Sequence, residues 1–557
     1  MLNVPVLATA IVVTALSSHQ VFKRYELTAF QFLAFIGFGE ILLFCVWSFS
    51  PQLKKHPYSF MVALWCTTLY LTTLAASISV YRLFFHPLSK YPGPLLGKLT
   101  KLTTSFYGTR GKIHLWLEEE HAKHGTIVRY GPNELSFIGP EHVAYIQGGK
   151  SMKVPRGPWY DGSPESMEDS LSMARTRDFQ AHKLRRRLWE QAFTVSALVS
   201  YESKINKLVD EFINKNCEKD DNTVNLSLEI EHFAFDAMGV LGFNRDYGMI
   251  SGANAESKQQ MHALMEFMTM LGIVRPAPWL KQLYRLLPFE NKGMTALKVF
   301  TSTTTKRFAD RYEEGDQRTD DIMYHLMQTE PKSGIRLTRT ELVDEAISVV
   351  IAGSDTTSIC LSYAMYYLLK DRDAYRKLVK EVDSLWNGHE PLEGKNLVPD
   401  KAPYLDGVIN ESLRLAEPDP NGNQRRTPKG GLAVGDIFIP DGTQISIHKW
   451  SMQRYEQNFS RAHEFIPERW ISDEERMRLN ITNHEIKAFL PFGGGQYACV
   501  GKKLAQVEMR LFLARVMKLV DISPAPSHDL DRFATDTRSH LTLILPDLPV
   551  VFRKRVL

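Results

Sequence analysis

The segment from Pro491 to Gly501 combines three consecutive glycines with a cysteine and leads straight into a helical pattern. Glycines allow a backbone to approach a flat ligand closely. Leu504 and Leu511 begin one apolar face of the following helix, so Cys499 lies at a helix N-terminus, where free N–H groups and the macrodipole stabilise a thiolate. The segment therefore predicts a thiolate beside a flat ligand. The alternative is an ordinary glycine turn with a buried cysteine.

A second group of reactive side chains lies inside a long apolar segment, Leu342 to Lys370, which would form a helix about 43 Å long. Ala352 and Gly353 thin one side of this helix, and the next turn carries Asp355 and Thr356. Aspartate and threonine are unfavourable inside a buried helix, and a mid-helix glycine costs about 1 kcal/mol relative to alanine. Such a cost without a gain in packing indicates a functional site. A plain core helix is the alternative.

Two further pairs have helical spacing. Glu411 and Arg414 are three residues apart and can pair on one helix stripe. His182 and Arg186 are four residues apart in a strongly basic stretch. Read alone, the first is a solvated ion pair of little energetic value and the second a solvated basic face.

Together these motifs resemble those of the cytochrome P450 family. Phe492, Gly495, Cys499 and Gly501 have the spacing F-x-x-G-x-x-x-C-x-G of its cysteine loop. The other motifs follow in the family's order: A-G-x-D-T-T at Ala352 to Thr357, E-x-x-R at Glu411 to Arg414, and P-E-R-W at Pro467 to Trp470. The resemblance covers the chain from about Pro92 to its C-terminus. The N-terminal region also looks like that of enzymes of filamentous-fungal specialised metabolism.

The resemblance implies roles for these residues. Cys499 would be the axial ligand of the iron of haem b, in a loop shaped by Phe492, Gly495 and Gly501. Thr356 would position dioxygen and its water, and Asp355 would relay protons. The structural support of the loop would be Glu411, Arg414 and Arg469.

The haem propionates need cationic or hydrogen-bonding partners if they are buried. The resemblance assigns this role to His182, Arg186 and Arg425, although Arg426 is a neighbouring alternative to the last. Tyr497 departs from the family pattern, because arginine or histidine is usual two residues before the cysteine. A phenol donates a hydrogen bond but carries no charge, so we expect Arg186 and Arg425 to hold most of the propionate charge.

Composition and N-terminal hydropathy place the chemistry in a membrane-anchored enzyme. The 557 residues are 44% hydrophobic and 23% charged, as in globular proteins, and the net charge of +4 is too small to indicate a nucleic-acid partner. Five scattered cysteines without paired spacing fit a reducing compartment and exclude a structural zinc site. Three apolar runs, Val4 to Leu16, Leu27 to Phe49 and Phe60 to Phe85, predict one to three transmembrane segments. A cleavable signal peptide is the alternative for the first run.

These features divide the chain into a membrane anchor at residues 1–90 and a haem-thiolate catalytic domain at 91–557. Lysines and arginines after the third run predict that this domain faces the cytosol, and the family resemblance implies the endoplasmic reticulum membrane. The fold class expected is mainly α with a small β region. Two hairpins are predicted, one from Thr126 to Ile138 and one joining Leu432–Pro440 to Gln444–His448.

The function expected is that of a monooxygenase that inserts one oxygen atom from dioxygen into a C–H or C=C bond of an apolar terpenoid, polyketide or alkaloid. Electrons would come from NADPH through a cytochrome reductase, or through a small haem electron carrier. Lys502, Lys503, Arg185 and Arg187 form a candidate basic docking face for an acidic reductase surface. The alternatives are a haem-thiolate isomerase or dehydratase, and a non-catalytic membrane haem-binding protein.

Overall fold

A computed structural model describes residues 4–23, 25, 29–50, 58, 60–147, 154–162, 172–218, 223–252, 255–280, 292–386, 392–526 and 528–556. The chain begins with three long apolar helices, α1 (Val4–Phe22), α2 (Ala29–Phe49) and α3 (Phe60–Val80). Each is long and apolar enough to cross a membrane, and most of their side chains are not buried within the protein. These helices therefore indicate membrane anchoring. The start of the second predicted run, residues 26–28, lies outside the described residues.

Polar contacts hold the three anchor helices together. The Glu40 carboxylate of α2 accepts hydrogen bonds from the hydroxyls of Tyr58, at 2.8 Å, and Thr67 of α3. His19 and Ser77 join α1 to α3 through a 2.7 Å hydrogen bond. The first helix continues beyond the predicted Leu16 to Phe22.

The rest of the chain is mostly helical. Its helices are α4 (Leu95–Leu99), α5 (Leu102–Thr109), α6 (Ile113–His124), α7 (Val143–Ile146), α8 (Phe179–Gln191), α9 (Val195–Cys217), α10 (Leu226–Phe243), α11 (Ala255–Val274), α12 (Lys292–Glu313), α13 (Ile322–Met327), α14 (Arg339–Lys370), α15 (Arg372–Leu385), α16 (Pro403–Leu415), α17 (Lys449–Arg454), α18 (Asp473–Arg478), α19 (Lys502–Leu519) and α20 (Asp531–Asp536). The strands are β1 (Ile127–Gly131), β2 (Glu134–Phe137), β3 (Thr223–Asn225), β4 (Arg425–Arg426), β5 (Leu432–Val434), β6 (Ile437–Ile439), β7 (Gln444–Ile447), β8 (Val520–Pro524), β9 (Arg538–Ser539), β10 (Leu543–Ile544) and β11 (Pro549–Lys554). The predicted fold class is confirmed.

Helix α14 runs through the main hydrophobic core. Its hydropathy would allow it to span a membrane, but 72% of the relevant window is buried within the protein, so it is a core helix. A capping box starts the helix: the Thr338 hydroxyl accepts from the Glu341 N–H, and the Glu341 side chain accepts from the Thr338 N–H. This places the Asp355 and Thr356 pair in the middle of a rigid element.

The small sheets agree with one predicted hairpin and correct the other. Strands β1 and β2 pair antiparallel as expected. Strand β5, however, pairs with β6 through a tight turn at Gly435, whose φ is +58°. Gly-Asp supplies the positive φ that such a turn requires, so the hairpin closes within Leu432–Pro440. Strand β7 instead joins β2 in parallel and β4 antiparallel, which brings Arg425 onto the four-stranded sheet.

Candidate active site

The cysteine loop folds back on itself just before α19. The Cys499 N–H donates to the Phe492 carbonyl oxygen at 2.8 Å. Gly493 and Gly495 adopt φ values of +64° and +65°, which glycine tolerates best, so these two positions explain the glycine run. Gly501 is the N-cap residue of α19, and a Cβ added there would lie 3.9 Å from Cys499 Sγ.

Cys499 is exposed, although protein atoms surround it on most sides at longer range. The Cys499 thiol therefore faces a space inside the protein and not its outer surface. Burial raises the pKa of the Cys499 thiol, while the N–H groups of Gly501 and Lys502 and the charge of Arg186 act in the opposite direction. The helix N-terminus and the nearby positive charge thus favour the thiolate, whereas burial opposes it.

The middle of α14 presents its polar groups in different directions. The Thr356 hydroxyl donates to the Ala352 carbonyl at 2.7 Å, and Ala352 is itself exposed despite its place in a core helix. The Asp355 carboxylate instead accepts a hydrogen bond from the Thr542 hydroxyl. Burial raises the pKa of Asp355 to about 6. Asp355 and Thr356 are thus neighbours in sequence that contact different surroundings.

Gly353 has a packing role that the sequence analysis did not anticipate. A Cβ added at this position would collide with the side chain of Met238 on α10. The absence of a side chain lets α10 pack closely against α14. The expectation that this glycine brings no gain in packing is therefore wrong.

Glu411, Arg414 and Arg469 form a network that is fully enclosed, which we call the Glu411 network. Arg414 donates to both carboxylate oxygens of Glu411 at 2.8 Å, and Arg469 donates to Oε1 at 2.9 Å. All three side chains have no exposed surface. Burial alone would raise the pKa of Glu411, but the two arginines and their hydrogen bonds hold it below its usual value.

The Glu411 network is connected to the cysteine loop by a short chain of hydrogen bonds. Arg414 Nη1 donates to the Gln453 carbonyl oxygen at 2.7 Å. The Gln453 side-chain oxygen in turn accepts from the N–H of Leu490 at 3.2 Å, one residue before the loop begins. The network thus reaches the segment that carries Cys499.

A second buried group consists of two arginines around an aromatic ring. The guanidinium groups of Arg156 and Arg425, which we call the arginine pair, each lie 4.6 Å from the centre of the Tyr497 ring. Both arginines are buried, and the Nε atoms of both have no hydrogen-bond partner among the described residues. Arg156 donates to the carbonyl oxygens of Met173 and Thr176, at 2.8 and 2.7 Å. In the part of the chain that the structure describes, no carboxylate pairs with either arginine.

The structure places the other predicted propionate ligands around Tyr497 or the loop. The His182 ring centre lies 4.6 Å from that of Tyr497. Burial, and then the charges of Arg156, Arg186 and Arg425, lower the pKa of His182 to about 3, so it is neutral near pH 7. Arg186 donates to the Ala498 carbonyl oxygen and, at 2.9 Å, to the Glu190 carboxylate. Arg186 therefore already holds the cysteine loop.

Arg156 is the functional candidate that sequence reasoning missed. It lies in the stretch Val154 to Trp159, where it is the one cation between apolar and glycine residues. An isolated β-bridge pairs it with Arg425. A single arginine in an apolar stretch was the available signal, but the contact itself joins residues distant in sequence.

The residues present fit a flat ligand that carries acidic groups. Two buried arginines have no carboxylate partner among the described residues, a glycine-rich loop presents a thiol, and the exposed Ala352 marks internal space beside α14. Haem has these properties, since it is planar and carries two propionates.

Comparison with known proteins decides the family. A model of the cytochrome P450 family matches residues 87–549. This chain is a cytochrome P450. The P450 is 31% identical to cytochrome P450 monooxygenase orf5 of Eupenicillium brefeldianum, over 87% of this chain and 95% of the relative. It is also 31% identical to cytochrome P450 67 of Uromyces fabae, over 97% and 98% of the two chains.

A solved structure agrees with the fold of this P450. The crystal structure of the cytochrome P450DA heme domain matches with a TM-score of 0.67 and 18% identity, over 80% of this chain and 94% of the other. Membership of the family implies a haem cofactor, an electron-donating partner and a small-molecule substrate. The enzyme is an oxidoreductase of the monooxygenase class, and the alternatives of an isomerase, a dehydratase or a non-catalytic haem protein are not favoured.

Proposed function

We propose that this P450 is a membrane-anchored enzyme of fungal specialised metabolism that hydroxylates an apolar terpenoid, polyketide or alkaloid. The main observation behind the proposal is that the loop with the exposed Cys499 thiol also carries Tyr497, against which the arginine pair lies. Substrate (RH), dioxygen, two electrons and two protons would give ROH and water. Membrane anchoring suits an apolar substrate that enters from the bilayer.

Each site residue has a task in this proposal. Bound haem b supplies the activation of dioxygen with electrons delivered one at a time. Cys499 Sγ would hold the haem iron, and the arginine pair would neutralise the propionates, with His182 as a neutral hydrogen-bonding partner. Phe492, Gly495 and Gly501 shape the loop, and Arg186 fixes it through the Ala498 carbonyl.

Two side chains of α14 would take part in proton transfer. The Thr356 hydroxyl now donates to the Ala352 carbonyl, and rotation of this hydroxyl would let it hold a proton or water on the exposed side of the helix. Asp355, whose pKa is raised to about 6, can exchange a proton near neutral pH. The Glu411 network would keep the loop in place and take no part in the chemistry.

Electrons would come from NADPH through a cytochrome reductase at the endoplasmic reticulum, with the catalytic domain (residues 91–557) in the cytosol. Lys502 and Lys503 are exposed at the start of α19, close to Cys499, and offer a basic contact to an acidic reductase surface. Arg185 does not belong to this face, because it is buried and paired with Glu341 at 2.6 Å. Arg187 is directed to Glu330, at 3.4 Å.

The test uses the full chain in membranes with a fungal NADPH–cytochrome reductase. Candidate metabolites are first screened for a change in the spin state of the ferric haem, and a binder is then turned over under ¹⁸O-labelled dioxygen. We expect one labelled oxygen atom in the product and NADPH consumption that requires the reductase. Product without label, formed without NADPH, would contradict the proposal and indicate an isomerase or dehydratase.

A further inference from the structure

A small cavity separates α10 from the middle of α14. Its volume is about 10 Å³, which is close to the space that one water molecule needs. Its polar walls are Glu231 of α10, Ser354 and Asp355 of α14, and Thr542. The remaining walls are apolar side chains, from α10, from α11 and from Ile544 of β10. Two carboxyl groups from different helices thus line the same cavity.

Among the residues that the structure describes, no cation pairs with either of these two carboxyl groups. Asp355 accepts from the Thr542 hydroxyl, and the Ser354 hydroxyl is directed to the Val350 carbonyl at 2.6 Å. Among the described residues, Glu231 has no hydrogen bond or ion pair. The acid nearest to it in sequence, Glu229, already pairs with Lys215 at 2.7 Å and with His232 at 3.3 Å.

Two close carboxyl groups without a cation cannot both ionise easily. Burial, and then the charge of Asp355, raise the pKa of Glu231 to about 8. No other charged group, on α10 or on the helices and strands packed against it, contributes to this shift. Asp355, with a pKa of about 6, is the partner that ionises first. The pair therefore holds one proton near neutral pH.

We propose that Glu231 shares a proton with Asp355 across this cavity and is the positioning residue that reprotonates Asp355 during turnover. The inference rests on the proposed monooxygenase function, in which Asp355 gives protons to the oxygen side of α14. After each transfer, the carboxyl proton of Glu231 passes through the cavity water to the Asp355 carboxylate, and Glu231 takes a proton from solvent. No electron moves in this step.

The first measurement compares Glu231→Gln with the wild-type holoenzyme during reductase-supported turnover. We expect at least about a tenfold fall in product per NADPH, with the lost electrons appearing as hydrogen peroxide, because a proton-transfer group typically contributes 10²- to 10⁴-fold. Haem content and substrate affinity should not change. Glu231→Asp should restore coupling, since it keeps the acid. Glu266→Gln, which removes an exposed carboxylate on α11, is the control and should match the wild type.

The second measurement needs no turnover, so it separates this inference from the proposed function. Glu231 keeps its proton up to about pH 8 in the folded protein but loses it at about pH 4.3 when unfolded. Stability from Glu231 is therefore lost as pH rises through this range, by up to tenfold in the unfolding equilibrium constant per pH unit. Glu231→Gln should flatten the pH dependence of thermal unfolding between about pH 5 and 8.

Two results with Glu231→Gln would overturn the inference. Equal pH dependence in the wild type and Glu231→Gln would mean that Glu231 is ionised at neutral pH and holds no shared proton. Unchanged coupling in Glu231→Gln, with labelled oxygen still entering the product, would mean that protons reach Asp355 by another route. If Glu231→Gln failed to fold, Glu231→Asp would decide: normal coupling would support the relay, and loss of coupling in a folded Glu231→Asp enzyme would contradict it.

Discussion

The Glu411 network and the arginine pair are both buried and rich in arginine, yet among the described residues only the first contains a carboxylate that pairs with its arginines. Glu411 receives hydrogen bonds from two guanidinium groups, the Ile466 N–H and the Trp470 indole, so its lone pairs are used. Arg156 and Arg425 both lie against the Tyr497 ring, and no carboxylate among the described residues pairs with either of them. A buried charge without a partner destabilises a folded protein.

This difference separates a structural role from a ligand-binding role. A network that is satisfied within the protein has no need of a ligand, and its function is to fix the shape around it. A cation pair that the protein leaves unbalanced is stabilised when an acidic ligand arrives, so part of the ligand's binding energy offsets the burial of the arginines. On this basis, we propose a structural role for the Glu411 network and binding of the haem propionates by the arginine pair.

The largest effect should follow from breaking the complete network. Glu411→Gln would leave Arg414 and Arg469 buried without a counter-ion, which costs roughly 3–5 kcal/mol. We expect poor expression or a fall of this size in the free energy of unfolding, measured by denaturant titration with and without haem. Glu475→Gln, which removes the carboxylate partner of Arg478 on the surface, is the control, and we expect a change below about 1 kcal/mol. A small effect of Glu411→Gln would show that the network is dispensable.

Arg425→Met should weaken haem binding without destabilising the haem-free protein, in contrast to Glu411→Gln. Its guanidinium makes one long hydrogen bond, at 3.3 Å to the Gln424 carbonyl, and no ion pair among the described residues. Haem affinity should therefore fall by about ten- to a hundredfold, as expected for a lost charge-assisted contact of about 1.5–3 kcal/mol. The haem-free protein should be as stable as the wild type or more stable. Destabilisation of the haem-free protein equal to that of Glu411→Gln would remove the distinction between the two regions.

The smallest effects should come from Tyr497, whose ring lies against the arginine pair. Tyr497→Phe keeps the ring and loses only a neutral hydrogen bond, worth about 0.5–1.5 kcal/mol. Tyr497→Ala also loses two cation–π contacts of about 0.5–2 kcal/mol each, and should release more haem.

Arg186→Ala should likewise lose more haem than Tyr497→Phe, because it frees the Ala498 carbonyl. Equal haem occupancy of purified Arg186→Ala and Tyr497→Phe would contradict this order.

Sequence patterns predicted the parts of the site that depend on local spacing. The helix that carries Glu411 and Arg414, the glycine turn before Cys499 and the long core helix all follow from residues close together in the chain. The contacts that were missed join distant segments. Arg156 reaches Tyr497 only through tertiary packing, and Gly353 is explained only by the position of Met238 on another helix. The pairing of β7 with β2 and β4 also depends on long-range contacts, which a local hairpin pattern does not reveal.

The central claim is that the thiol of Cys499 binds the haem iron while the arginine pair holds its propionates. The most direct measurement is the absorption spectrum of the reduced, carbon monoxide-bound protein, recorded for the wild type, Cys499→Ser and Arg425→Met. We predict the band diagnostic of thiolate ligation in the wild type, the same band at lower intensity in Arg425→Met, and its loss in Cys499→Ser. A thiolate band of normal intensity in Cys499→Ser would contradict the account.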